Sequence, residues 1–341
     1  MAQDTTGTFT KGQIFDLAFD CLHRNGCDDE NARAIADNIA RAELDGCASH
    51  GLFRLPGYVA ALRSEKVDGA ARPHTAVSQK APSVLKVDAA GGFAPLALEV
   101  ARPELISLTK KMGIAAIGVV HVHHFSALWA DVEPLAEAGL VALACTAYLP
   151  AVAPVGSSTP FFGTNPMAFA WPRKGKPPMV IDQSSAAMAR GEVMIAARDG
   201  KDVPEGVGLD TDGQPTTDPA KVLEGVMLPF GGHKGSAIAL IVELLAAGLI
   251  GESFSVEAKE RDNADGGPPR GGMFMMAINP DMFGDESWDA HSNTFLTKLE
   301  NLDGVRLPGQ RRIANRTNNA EHGIRVKQEL LDTIRSLPSL E

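Results

Sequence analysis

Several short stretches of this 341-residue chain hold side chains whose types and spacing suit chemistry. In Ser49-His50-Gly51, a histidine able to give or take a proton near neutral pH stands beside a hydroxyl that can orient it. Arg54 and Tyr58 follow. A helix starting near Gly51 would set them four apart on one face, with the guanidinium able to clamp a carboxylate through two parallel hydrogen bonds. The same residues also read as a helix cap followed by surface charges. Further on, His121-Val122-His123-His124-Phe125 ends a run of strand-forming residues, and alternation along a strand would put His121 and His123 on one side. Imidazoles can bind zinc, nickel or copper. No H-E-x-x-H motif and no cysteine or carboxylate cluster completes a ligand set, so a ligand-lining loop at a strand end is the better reading.

Gly231-Gly232-His233-Lys234-Gly235-Ser236 precedes an apolar stretch. Glycines let the backbone approach a ligand, and a helix N-terminus with a lysine favours an anion. A plain tight turn fits the same residues. The spacing is not that of a Walker loop, and no G-x-G-x-x-G follows a strand, so a Rossmann fold is unsupported. Pro308-Gly309-Gln310-Arg311-Arg312 offers two adjacent arginines, either a phosphate clamp or a solvated pair. Among scattered acids, Glu192 stands out because Ala189-Arg190-Gly191-Glu192 lies in a mostly apolar stretch.

Stepping outward, the elements that must position these groups alternate between helix and strand. Thr10 and Gln13 form a capping box for a helix carrying Ile14, Leu17, Ala18, Cys21 and Leu22. A second helix spans Asn31 to Leu44 and ends at Gly46, after which a glycine-bracketed turn presents Ser49 and His50. Strands are expected over 84–87, 114–120, 141–147, 167–171 and 273–278, with a helix over 96–111. Residues 200–219 read as loop, 236–250 as a buried helix, and 257–272 as a mobile surface excursion. The pattern is mixed α/β.

Composition narrows the function class. Acidic residues outnumber basic ones, 42 to 32, and the net charge of −10 argues against nucleic acid or an anionic membrane as partner. Four cysteines with no C-x-x-C pair read as thiols in a reducing compartment. No apolar run reaches membrane-spanning length and no signal pattern opens the chain, so a cytoplasmic location is expected. The length suits one large or two ordinary domains.

In order, the chain carries D-G-x-x-S-H-G-x-x-R-x-x-x-Y over 45–58, His123-His124-Phe125, Gly163-Thr164-Asn165-Pro166, Pro215-Thr216-Thr217-Asp218-Pro219 and Gly231 to Gly235. Together these resemble the malate/L-lactate dehydrogenase-like, non-Rossmann oxidoreductases. The segment F-S-A-L-W-A-D-V-E-P-L-A-E-A-G-L-V-A-L over 125–143 and Leu228 to Ser236 are most similar to the group reducing Δ1-piperideine-2-carboxylate and Δ1-pyrroline-2-carboxylate. The resemblance implies an α/β fold in which a large, mostly antiparallel sheet domain is inserted between packed N- and C-terminal segments. It divides the chain into an NADPH-binding domain over 119–299 and a substrate and dimerisation domain over 1–118 plus 300–341, in a homodimer.

The resemblance also implies roles. NADPH, with NADH weaker, would lie along His121, His123, His124, Phe125, Asp182, Gln183, Ser184, His233, Lys234, Pro308, Gly309, Gln310, Arg311 and Arg312. Arg54, Thr164, Arg190 and Gly191 would hold the substrate. His50 would protonate the imine nitrogen, with Ser49 and Glu192 as a relay, giving L-pipecolate or L-proline without a catalytic metal. The alternative within the family is a 2-hydroxy acid dehydrogenase of malate, lactate, sulfolactate or ureidoglycolate type. A metal-binding or non-catalytic protein built on the histidine cluster is the alternative of another class. This chain departs from the family at Asp182-Gln183-Ser184-Ser185, in place of D-x-A-T-S, and at Glu192, in place of an aspartate. Hydroxy-acid members read A-x-G-K where Glu192 falls, and a carboxylate there suits a developing ammonium better than an alkoxide.

Overall fold

The elements follow from local chemistry that the computed structural model, which describes residues 6–339, makes explicit. Thr10 accepts from the Gln13 backbone while the Gln13 side chain returns to Thr10, completing the expected capping box of helix α1 (Lys11–His23). Asp28 caps α2 (Asp29–Leu44), which starts two residues earlier than its apolar spacing suggests. The other helices are α3 (Leu55–Arg63), α4 (Ala94–Met112), α5 (Leu128–Glu137), α6 (Arg190–Arg198), α7 (Pro219–Glu224), α8 (His233–Glu243), α9 (Ser255–Arg261), α10 (Trp288–Glu300), α11 (Gln310–His322) and α12 (Gln328–Ser336). The strands are β1 (Thr6–Phe9), β2 (His74–Ser78), β3 (Ala81–Asp88), β4 (Ile114–Val122), β5 (Val141–Thr146), β6 (Met167–Trp171), β7 (Met179–Gln183), β8 (Gly208–Leu209), β9 (Pro215–Thr216), β10 (Val226–Met227), β11 (Gly271–Ile278) and β12 (Ile324–Lys327).

Seven strands form one sheet in the order β2-β3-β4-β11-β5-β6-β7. Every neighbouring pair is antiparallel except β3 with β4, so the large, mostly antiparallel sheet is present. Its core joins Leu85, Val119 and Met275 from the strands to Leu98 and Leu105 of α4 and Leu128 and Val132 of α5. The chain's two ends share a second core. β1 pairs with β12, and Ile14, Ile35, Leu55 and Tyr58 pack with Ile324 and Ile334. A third cluster, including Val152, Val193, Val207 and Ala239, holds α6 and α8 beside the small sheet β10-β8-β9. The sheet begins at His74, so a division between residues 118 and 119 falls inside β4, with β2 and β3 on the sheet's side.

Two sequence expectations are corrected. The stretch 236–250 is helical only to Glu243 and then widens into a π-turn over 244–248; Ala239, Val242, Ala246 and Ala247 point inward, while Leu240, Ile241, Leu244 and Leu249 are exposed. A uniformly apolar helix hides which face meets the core. Residues 257–272 are not a free excursion either. Lys66 binds both Asp262 and Asp265, and Gly267, Pro268 and Pro269 are buried against α3. Prolines bring no N–H that must find a partner, so this polar-looking segment buries at little cost.

Candidate active site

After α2, Asp45 and Gly46 turn the chain into two 3-10 turns, over Ala48–His50 and Leu52–Arg54, which lead into α3. The turn is anchored from below. Glu43, buried in α2, accepts the Leu52 N–H at 2.7 Å, and any side chain at Gly51 would strike its carboxyl. Burial pushes the Glu43 carboxyl up to about 7. Above it, Ser49 Oγ lies 3.1 Å from His50 Nδ1. His50 is half-buried and is pushed down to about 3, first by burial and then by the nearby charges of Arg54 and His124.

Arg54 sits 4.4 Å over the ring of Phe125, and its Nε is buried without a partner. No carboxylate pairs with it among the described residues. Arg190, at the start of α6, lies close enough to repel it, and burial pushes both guanidinium groups below their ordinary range. Gly191 is pressed against this pair of elements: a Cβ there would lie 3.0 Å from Ser49 Cβ and 3.3 Å from Arg54 Nη2. The structure thus joins Ser49, His50, Arg54, Arg190 and Gly191. A cleft of ≈ 380 Å³ opens beside Arg54, lined also by Phe53, Gly57, Phe125, Met194, Arg198 and Gly266.

The other segments converge from the sheet. Thr164 O accepts from Ser184 Oγ, Ser185 Oγ and Ser185 N, and a Cβ on Gly235 would lie 2.7 Å from Ser185 O. This brings Thr164, Ser184 and the glycine turn before α8 together. Gly231 and Gly232 adopt φ of 53° and 60°, which favours glycine, and leave His233 and Lys234 exposed at the helix start. Asp182, at the end of β7, accepts from Trp129 N at 2.9 Å. It touches solvent yet is crowded by protein, and burial pushes it up to about 6 against the pull of Arg312. Gly309 packs on the Val180 backbone, so Pro308 to Arg312 meet β7 at the same place. Arg312 lies 4.5 Å over Trp129, and both Arg312 Nη1 and Trp129 Nε1 are buried without partners.

Some expected residues are placed differently. The left-handed φ of 52° at His121 and a register shift against β11 break the alternation. His121 turns to Asp88 at 3.0 Å, His123 is buried with Nδ1 3.1 Å from Pro268 O, and His124 Nε2 lies 2.9 Å from Asp131. Burial pushes His123 down to about 4. Phe125 is a buried platform between Arg54, Tyr58 and Tyr148. The Gln310 side chain is committed to Leu307 N and Glu300, whereas Gln183 and Arg311 are exposed. Glu192 is exposed on the first turn of α6 and forms no hydrogen bond or ion pair with His50 or Ser49, so the expected relay through it is not made. Asp131, Trp129, Tyr148 and Glu43 were not singled out from the sequence. For Asp131 the available signal is an acid set inside the apolar helix α5; for Glu43, in the charged helix α2, the sequence offers none. Among the described residues, no group of three or more His, Cys, Asp or Glu side chains is arranged to hold a metal ion.

The family model for malate/L-lactate dehydrogenase matches residues 9–335. The chain belongs to the malate/L-lactate dehydrogenase family. It is an oxidoreductase of the nicotinamide-using kind. It is 45% identical to a Delta(1)-pyrroline-2-carboxylate reductase of Ancylobacter novellus, over 95% of this chain and 96% of that one. A (2R)-3-sulfolactate dehydrogenase (NADP(+)) of Chromohalobacter salexigens is 41% identical, over 94% and 95%. Among solved structures, the delta1-piperideine-2-carboxylate reductase of Pseudomonas syringae pv. tomato superposes with a TM-score of 0.91 at 42% identity, covering 97% of this chain and all of that one. The chain and that reductase share one fold over nearly their whole length. No helix among the described residues is long and apolar enough to cross a membrane.

Proposed function

We propose that this protein reduces the C=N bond of a cyclic imine carboxylate, Δ1-piperideine-2-carboxylate or Δ1-pyrroline-2-carboxylate, to L-pipecolate or L-proline, preferring NADPH to NADH. One observation carries the reading: Arg54 and Arg190, two neighbouring guanidinium groups without a carboxylate partner among the described residues, stand where Gly191 packs on Ser49, and a cleft opens beside Arg54. Like charges crowded together in a chain of net charge −10 call for an anion, and a planar carboxylate matches the guanidinium fork. The reductase relatives favour an imine as the group attached to it.

The residues present fit a nicotinamide dinucleotide. The orphaned donors of Arg312 and Trp129 and the glycine turn before α8 suit its phosphates and ribose, with Arg311, Arg312, His233 and Lys234 as partners for a 2′-phosphate. When bound, the reduced nicotinamide supplies a hydride to the imine carbon. The nitrogen needs one proton, and His50 is the group placed to hold it. Burial is the larger cause that keeps His50 neutral and the Arg54 charge the next, so a carboxylate on Arg54 favours the protonated ring by offsetting that second cause. Ser49 Oγ then accepts from His50 Nδ1–H, which leaves Nε2 for the substrate. Thr164 and the Gly191 backbone complete the substrate's seat, and Gly191 lacks the Cβ that would crowd it.

Cofactor oxidation measured across cyclic imines and 2-keto acids tests the proposal; a clear preference for a keto acid would replace it with the hydroxy-acid reading, which the sulfolactate dehydrogenase relative favours. Arg311→Ala and Arg312→Ala should narrow the NADPH/NADH ratio. The proposal extends to a cytoplasmic homodimer, supported by four free cysteines and by the exposed row Leu240, Ile241, Leu244 and Leu249. A monomeric mass by light scattering would remove the dimer.

A further inference from the structure

We propose that Asp131 is a positioning residue for the reaction, acting through His124. Asp131 lies on the first turn of α5 and is 4% exposed; His124 is 7% exposed, and the two are joined by the 2.9 Å contact between Nε2 and the carboxylate. A carboxylate accepts and cannot donate, so Nε2 carries the ring proton and Nδ1 is the nitrogen left uncommitted. The pair is tied to two parts of the site: Phe125, the next residue, is the platform under Arg54, and Trp129 of α5 donates its N–H to Asp182 at 2.9 Å. His124 is thus held, in one tautomer, between the Phe125 platform of the substrate-side arginine and the segment expected to meet the cofactor.

The other ionisable neighbours do not supply this hold. Arg102 of α4 attracts Asp131, but no ion pair joins them among the described residues. Tyr58 of α3 and Asp182 of β7 also sense the carboxylate; neither bonds to it. Among the described residues, His124 gives Asp131 its one side-chain hydrogen bond. A buried carboxylate with so little compensation is costly to keep, and the group it serves is the His124 imidazole, one residue before the Phe125 platform under Arg54. The inference rests on the proposed function only for the identity of the substrate.

A double-mutant cycle tests it, using Asp131→Ala and Asp131→Asn in the wild-type and His124→Ala backgrounds. Asp131→Ala should lower kcat by about 10- to 100-fold, as loss of an orienting partner typically does, while KM and the NADPH dissociation constant stay within about threefold. Asp131→Asn keeps an acceptor in place and should restore kcat to within about fivefold of wild type. In the His124→Ala background, Asp131→Ala should have no further effect beyond about twofold. An unchanged kcat, an equal loss in both backgrounds, a loss confined to NADPH affinity, or an Asn variant as impaired as the Ala variant would each overturn the assignment. If Asp131→Ala does not fold, nitrogen NMR of His124 in the wild type decides: a proton on Nε2 supports the assignment and a bare Nε2 defeats it. The cycle is run on whichever substrate the wild type reduces, so a keto-acid preference would defeat the imine reading and leave this test intact.

Discussion

Arg316 and Arg54 are both arginines in crowded surroundings, and they are treated in opposite ways. Arg316 of α11 meets Asp45 through two bonds of 2.7 Å and Glu133 at 2.8 Å. Its acids are almost fully buried, and hydrogen bonding to Asp45, with the charges of Glu133 and Asp45 behind it, drives its pKa upward against the cost of burial. This cluster ties the C-terminal segment to α2 and α5, and its side-chain donors have protein acceptors. Arg54 has an aromatic platform, a second arginine nearby and no acid; burial drives its pKa downward. A fold gains nothing from an uncompensated buried cation, so the second arrangement is one to keep only for a ligand. The pairing of a buried charge, more than its burial, separates architecture from chemistry here.

The contrast can be broken or sharpened by mutation. His50→Ala should have the largest effect, a loss of about a hundred- to ten-thousand-fold in turnover with cofactor affinity nearly intact, because general acid help is worth about that much. Near wild-type turnover would remove His50 from the chemistry. Arg54→Ala should lower kcat/KM by about a hundredfold, since two charge-assisted hydrogen bonds to a carboxylate are worth about 3 kcal/mol. Its melting temperature should not fall; a marked drop would put Arg54 with the architectural arginines. Arg316→Ala is the mirror case. It strands Asp45 and weakens the hold on Glu133, so denaturant titration should show a loss of about 2 kcal/mol, discounted because Arg316 is partly exposed. Its kcat/KM should stay within a few fold.

Glu43→Gln should act on stability through pH. The folded carboxyl is raised above its ordinary value, so between about pH 4.5 and 7 the folded state holds more protons than the unfolded chain. Wild-type stability from this group therefore falls as pH rises through that window. The glutamine variant, which still accepts from Leu52 N, should lack the fall and be the more stable of the two at pH 8. Identical pH–stability curves would show that Glu43 does not titrate there. Glu192→Gln should have the smallest effect, within about threefold on turnover, because mutations at exposed, unpartnered positions usually change little. A large loss would restore the relay through Glu192.

Local groups were legible along the chain. The capping box, the S-H-G turn, the strands over 114–120 and 167–171 and the glycine turn before α8 depend on neighbours a few residues apart, and backbone sterics and hydrogen bonding act at that range. The histidine run was legible as a feature and not as an arrangement. A single left-handed residue, His121, sends three adjacent rings to Asp88, Pro268 and Asp131.

Order along the chain dictates the reactive groups and the short turns that present them: Ser49 beside His50, Arg54 one turn on, Lys234 at a helix start. Which of these groups meet depends on the folded arrangement. It set Gly191 against Ser49, laid Arg54 on Phe125, left Glu192 outside, and seated Asp131 under His124. Those choices come from packing distant segments around shared cores, where burial sets which charges find partners, and no spacing along the chain encodes that.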